Sequence, residues 1–246
     1  MRLYAIGDVH GQRAKLEAAH ERIEADRRVT GDRDAPVVHL GDYCDRGPDT
    51  RGVLQLLIDG QAAGHPWICL MGNHDRLMRD FLMDGRLTDG RLRAEFTWFS
   101  GPLGGSDTLA SYGVHVEGMS AEEVHRAADL AVPHTHRKFL GGLPLFHETG
   151  DLFLVHAGIA PGVPFDAQVE DDLLWIRGPF LDDTRDHGKL VVHGHTPVDA
   201  PMHCGNRVAL DTGAGFGRPL TVAVFEGRDC WVLTDTGRVA LTPPGG

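Results

Sequence analysis

Positive charge is in short supply in this 246-residue chain: 24 Lys and Arg stand against 35 Asp and Glu, a formal net charge of −11. That balance argues against non-specific binding to nucleic acid or to acidic membranes. Long hydrophobic runs are missing too. No apolar stretch reaches the roughly 18 residues of a membrane span. The N-terminus, Met1-Arg2-Leu3-Tyr4-Ala5-Ile6-Gly7-Asp8, has no long apolar leader and reads as a strand beginning at once. Cysteine is sparse. Cys44, Cys69, Cys204 and Cys230 are scattered without CxxC spacing, which points to reduced thiols. There are no internal repeats. Hydrophobic residues make up 41% and charged residues 24%, the composition of an ordinary globular protein that can bury a sizeable core. The expectation is a cytoplasmic monomer without nucleic-acid or membrane partners.

Histidine, by contrast, is abundant at 15 residues, so only those in a defined context can carry an argument. One pattern supplies that context: an apolar run, a glycine, then a metal-type ligand. Val37-Val38-His39-Leu40 leads into Gly41-Asp42-Tyr43-Cys44-Asp45-Arg46-Gly47, placing Asp42 at the carboxyl end of a strand, where open α/β sheets hold their ligands.

Strands are expected over 2–7, 37–41 and 67–71, with helices over 12–28 and from Asp49 or Thr50 onward. This is the alternation of a parallel sheet with right-handed crossovers. Between the third and fourth ligand blocks, residues 76–143 read as a helical insertion, with pieces over 76–83, 91–99, 107–112, 121–130 and 134–140. A hairpin is expected over 145–147 and 152–155, then a strand over 189–193. Strands over 208–210, 220–225 and 230–234 complete a second, mostly antiparallel set. The fold class is therefore α/β: a two-sheet α/β sandwich with its ligand loops on one rim. It forms one domain over 1–242, and a disordered tail is expected over 243–246.

The rim loops carry the chemistry. Asp8 and His10 are two apart where a strand ends, so both can reach one ion. Asp42 has two oxygens and can bridge that ion to a second, whose shell Asn73, His156 and His195 can complete. Mixed nitrogen and oxygen ligands suit first-row divalent metals. Two such ions about 3.5–4 Å apart form a clamp for in-line displacement at phosphorus. With Arg46 and Arg177 added, the pocket is cationic inside an acidic protein, suited to a phosphate dianion.

The blocks Gly7-Asp8-Val9-His10-Gly11, Gly41-Asp42-Tyr43-Cys44-Asp45-Arg46-Gly47, Gly72-Asn73-His74-Asp75, His156-Ala157-Gly158 and Gly194-His195-Thr196 occur in this order. Together they resemble the calcineurin-like metallophosphoesterases, and among them the phosphoprotein phosphatases of bacterial and bacteriophage-lambda type. Leu210-Asp211-Thr212-Gly213-Ala214 resembles a later strand end of the same bacterial group. The resemblance implies a first metal on Asp8, His10 and Asp42 and a second on Asp42, Asn73, His156 and His195. Manganese is the first choice, with iron or zinc as alternatives. It further implies direct attack of metal-bound hydroxide on phosphorus. His74 would act as general acid, Asp45 would orient it and hold it protonated, and Arg46 and Arg177 would grip the phosphoryl oxygens. The serine-alanine-proline-asparagine-tyrosine block of eukaryotic protein phosphatases is absent, and Gly213-Ala214-Gly215-Phe216-Gly217 occupies that region. Asp75 stands where eukaryotic members carry glutamate.

The implied activity is that of a phosphomonoesterase, first a serine/threonine protein phosphatase acting on phosphoprotein or small phosphoesters. The alternative is a symmetrical dinucleoside-polyphosphate hydrolase acting on diadenosine tetraphosphate. A non-catalytic phosphate-binding scaffold would have no need of His74, Asp45 or two arginines. Bland readings stay open for Arg177, as a partner of Trp175, and for Asp45, as a partner of Arg46 or a turn cap. Asp75 and Arg76 read as structural, His39 and His193 as buried hydrogen-bonded histidines, and Trp67, Trp98 and Phe99 as core.

Overall fold

The computed structural model describes residues 2–244. Three short strands, β1 (Arg2–Ile6), β2 (Val37–His39) and β3 (Trp67–Cys69), lie parallel, joined by helices α1 (Arg13–Thr30) and α2 (Thr50–Ala62). Ile6 pairs with His39, and His39 with Cys69. The three chains therefore leave the sheet at one level and deliver their loops to one rim. Helix α2 starts at its cap: the Asp49 carboxylate accepts the Gly52 amide at 2.8 Å.

Helices α3 (Asn73–Asp84), α4 (Gly105–Ser111), α5 (Ala121–Ala131) and α6 (His134–Gly141) follow. Residues 91–99, expected as a helical piece, form turns instead. The Trp98 amide donates to Leu87 O at 2.7 Å rather than to a residue one turn back, and Arg91 is drawn to Asp171 and Asp172.

The second sheet has the order β4-β5-β6-β8-β7, from β4 (Phe146–Thr149), β5 (Leu152–Val155), β6 (Leu190–His193), β7 (Met202–His203) and β8 (Arg207–Ala209). Its three central strands are parallel, with Leu154 level with Val192 and Val192 level with Val208. They too deliver their loops together. Short helices α7 (Glu170–Trp175) and α8 (Gly178–Leu181) lie between β5 and β6.

The expected antiparallel second set is corrected here. β9 (Val222–Glu226) and β10 (Asp229–Thr234) belong to the first sheet, whose order is β11-β10-β9-β1-β2-β3, with β11 (Gly237–Ala240) as an added edge. β9 runs antiparallel along β1 and covers the edge that β1 would otherwise leave open. A tight turn at Gly227-Arg228 then returns the chain as β10.

Strand alternation explains the layers. Leu3, Ala5, Val38, Leu154, Val192, Val208, Ala223 and Phe225 face inward between the two sheets. Tyr4, Ile6 and Val37 turn the other way, onto Leu16, Ala19 and Ile23 of α1 and Val53, Leu54 and Leu57 of α2. On the far side Phe153, Val155 and Val191 pack on Leu173 and Phe180. Burying one such side chain contributes about 1.5–3 kcal/mol. No helix among the described residues is long and apolar enough to cross a membrane. Gly245 and Gly246 of the expected tail lie outside the described residues, and Pro243 and Pro244 are in neither helix nor strand.

Candidate metal centre and active site

Six loops meet on the shared rim. The first two are laced by backbone: the Val9 and His10 amides donate to Asp42 O at 3.1 and 2.7 Å, and the Gly11 amide to Tyr43 O at 2.8 Å. A third loop locks on through Asp75. This fully buried carboxylate accepts the amides of Asp42 (2.8 Å), Tyr43 (2.9 Å), Cys44 (3.3 Å) and Gly72 (2.9 Å). It is structural, as expected, and it shapes the Asp42 turn. Arg76 is structural as well, pairing with Asp89 and Asp171 at 2.7 Å each.

Two glycines are fixed by crowding. A Cβ on Gly72 would fall 2.2 Å from the Asp42 amide, and one on Gly194 would fall 1.9 Å from Asp8 Oδ1. Strain is concentrated here also. His10 (φ 47°), Asp42 (52°), Asp45 (74°), Arg46 (65°) and His195 (63°) all take left-handed conformations that side chains disfavour.

The six expected metal ligands come together, all buried. Asp42 lies at the centre, with Oδ2 3.4 Å from His10 Nε2 and Oδ1 3.4 Å from His156 Nε2. Asp8 joins Asp42 and His156 in one group able to hold a metal; His10, Asp42 and His74 form a second. Asn73 Oδ1 lies 2.9 Å from both His156 Nε2 and His195 Nδ1.

The donor set fits cations. His10 Nδ1 and His156 Nδ1 contact the carbonyls of Cys44 (2.8 Å) and Leu40 (2.9 Å). Donating there, each ring turns its Nε2 lone pair inward. Asp8 Oδ1 and His195 Nε2 are buried without a hydrogen-bond partner. Burial pushes the His10 and His195 imidazoles well below their ordinary range, which keeps them neutral as ligands must be. Burial, then Asp211 and Asp42, push Asp8 well up. For Asp42 burial is outweighed by the surrounding histidines, His156 first, and its carboxyl is held far below the carboxylate range.

Beside this group His74 Nδ1 meets Asp45 Oδ2 at 2.7 Å. Burial lowers His74 to about 3 and raises Asp45 to about 8, the latter against hydrogen bonds from Thr108 and Trp98. These directions run against the expected protonated imidazole: burial disfavours both charges and favours a neutral imidazole beside a carboxylic acid, which then holds the pair's proton. Asp45 is no mere turn cap. The Trp98 indole donates to its Oδ1 and Oδ2 at 3.1 and 2.9 Å, and the Thr108 hydroxyl to Oδ1 at 2.7 Å. Neither supporting residue was foreseen as part of the site. Both lie in the 76–143 segment, where no spacing rule links them to Asp45. Asp211, whose Oδ1 accepts the Gly213 amide at 2.8 Å, was noted within a block but given no role.

Arg46 reaches His10 Nε2 at 2.6 Å and His74 Nε2 at 3.0 Å. Arg177 Nη2 donates to His195 O at 3.4 Å. The cation over Trp175 is Arg76, at 5.9 Å. His39 and His193 are fully buried, His39 against His20 at 2.9 Å and His193 against Gly194 O at 3.0 Å. All four cysteines are free.

Comparison with known proteins places these features. A bis(5'-nucleosyl)-tetraphosphatase PrpE [asymmetrical] of Geobacillus thermodenitrificans is 30% identical over 255 residues, covering 90% of this chain and 89% of the relative. A serine/threonine-protein phosphatase 1 of Salmonella typhimurium is 26% identical, covering 91% and 92%. The cold-active protein-tyrosine phosphatase of a Shewanella species shares the fold with a TM-score of 0.65 at 16% identity, covering 98% of this chain and 80% of that one. The family model for the calcineurin-like phosphoesterases matches residues 1–223, a span that contains every loop of the rim. The chain belongs to the calcineurin-like phosphoesterase family.

Proposed function

We propose that this protein is a two-metal phosphomonoesterase whose first substrate class is the alkyl phosphate ester, as in phosphoserine and phosphothreonine of proteins. The observation that carries this reading is the His74–Asp45 pair, 2.7 Å apart and braced by Trp98 and Thr108. An alkoxide is a poor leaving group and needs a proton as its bond to phosphorus breaks. A phosphate leaving from an anhydride does not. A buried, proton-holding pair serves the former reaction, and such general acid catalysis contributes about 10²–10⁴-fold.

Asp8, His10 and Asp42 would hold one ion, and Asp42, Asn73, His156 and His195 the other, manganese being the first choice and iron or zinc the alternatives. When bound, the ions supply an activated water and the positive charge that draws in a phosphoryl group. The protein does the rest. Arg46 and Arg177 grip phosphoryl oxygens, His74 passes a proton to the departing oxygen, and Asp45 fixes the ring that delivers it.

A second reading has support from the relatives. The tetraphosphatase names favour hydrolysis of a dinucleoside tetraphosphate, and they carry the asymmetrical form of that reaction, whereas the motif blocks suggested the symmetrical one. The test is Mn²⁺-dependent turnover of a phosphothreonine peptide beside diadenosine tetraphosphate, with EDTA and His74→Asn as controls. A higher kcat/KM on the peptide upholds the first reading. A higher value on the dinucleotide replaces it with the second, where ADP alone marks symmetrical cleavage and ATP with AMP marks asymmetrical cleavage. No turnover of either overturns both.

A further inference from the structure

We propose that Phe216 is a positioning residue for the Arg46 guanidinium, and that Lys15 holds the turn that presents it. The inference rests on the phosphoryl-binding role given to Arg46 above. Phe216 closes a 3₁₀ turn, Ala214–Phe216, set between the left-handed Gly213 (φ 79°) and Gly217 (φ 86°). The turn lies directly on the site, since a Cβ on Gly215 would fall 2.9 Å from His10.

Lys15 Nζ, projecting from α1, donates to Ala214 O at 2.9 Å and Arg218 O at 2.8 Å, bracketing Phe216 from both sides. At the two ends, Asp211 Oδ1 accepts the Gly213 amide and Thr212 Oγ1 donates to Pro219 O, each at 2.8 Å. This bracing leaves a phenylalanine 58% exposed, an outcome that hydrophobic burial alone would not select.

The ring is in use on one face. The Arg46 guanidinium lies 4.8 Å from its centroid, and Arg46 Nε donates to Pro102 O at 3.3 Å. Held between ring and carbonyl, the guanidinium points both Nη atoms at the Nε2 atoms of His10 and His74. A long side chain fixed before the ligand arrives loses less freedom on binding it.

The test measures binding of inorganic phosphate to the Mn²⁺-loaded protein by calorimetry, with melting curves to verify folding and metal analysis to verify loading. Phe216→Ala should weaken phosphate binding about threefold, as loss of an exposed cation–π contact would. Phe216→Tyr should restore it, Lys15→Met should weaken it in the same direction, and metal content should stay unchanged. In an Arg46→Ala background, Phe216→Ala should cost nothing further. Additive losses would overturn the inference, as would an unchanged affinity in Arg46→Ala. With substrates, KM should rise by one common factor for peptide and dinucleotide; a rise confined to the dinucleotide would make Phe216 a base-stacking surface instead. Phosphate binding is read without turnover, so failure of the proposed activity and failure of this inference give different results.

Discussion

His74 and Asp45 follow different strands, yet Nδ1 of one and Oδ2 of the other are 2.7 Å apart and sealed from solvent. His74 opens helix α3 after β3, whereas Asp45 sits in the left-handed turn after β2. The parallel register of the two strands brings them level. His74→Asn should keep its metal and lose about 10²–10⁴ in kcat. The loss should be steepest for esters with poor leaving groups, as a plot of rate against leaving-group pKa would show. A flat plot for both wild type and variant would remove His74 as the acid.

Trp98 gives a second test, because it touches only Asp45 in that pair. Trp98→Phe removes the indole donor and part of a fully buried side chain. Stability should fall by about 2–3 kcal/mol in urea unfolding. The kcat should fall about tenfold as Asp45 loses one of its restraints. An unchanged kcat alongside lowered stability would reduce Trp98 to a core residue.

Asp42 and Asp75 should separate ligand from scaffold. Asp42→Asn should lose metal and activity together, as metal analysis and a phosphate-release assay would show. Asp75→Ala strips four backbone amides of their acceptor and should cost about 3 kcal/mol or more in unfolding free energy. Its metal should return at high Mn²⁺, since no ligand has been removed.

Far from the site, Asp26 fastens α1 to β1 and β11. Its carboxylate accepts the Tyr4 hydroxyl at 2.8 Å and two Arg238 nitrogens at 2.7 Å each. Burial raises its pKa, but Arg238 and then Tyr4 outweigh burial and leave it lowered. A lowered folded pKa adds stability above the unfolded value of about 3.9, and that stability drains away as pH falls through the folded value. Asp26→Asn should therefore cost about 2 kcal/mol at pH 7, with the gap to wild type closing below about pH 4. A gap independent of pH in urea titrations would show that the charge is not the source.

The sandwich, the parallel β1-β2-β3 unit and the six clustered ligands were legible because a glycine followed by a polar side chain closes β1, β2, β3 and β6, at Asp8, Asp42, Asn73 and His195, while His156 follows β5 directly. Placement of β9 and β10 was not legible. The apolar run Val222–Phe225 says that β9 is buried on both faces but not which open edge it joins, and the edge of β1 is a long-range choice. The turn at Trp98 was hidden for a related reason. Residues 91–99 have helix-compatible composition, and only the pull of Leu87 O on the backbone and of Asp45 on the indole reveals another conformation.

The five left-handed residues of the rim set durability against turnover. Each costs roughly 1 kcal/mol or more that a glycine would not. Selection of this protein for heat resistance alone would therefore favour glycine at Arg46, hardening the turn while removing the guanidinium that faces His10 and His74. The Leu154–Val192–Val208 layer between the sheets carries no such conflict, and hardening there would leave catalysis untouched.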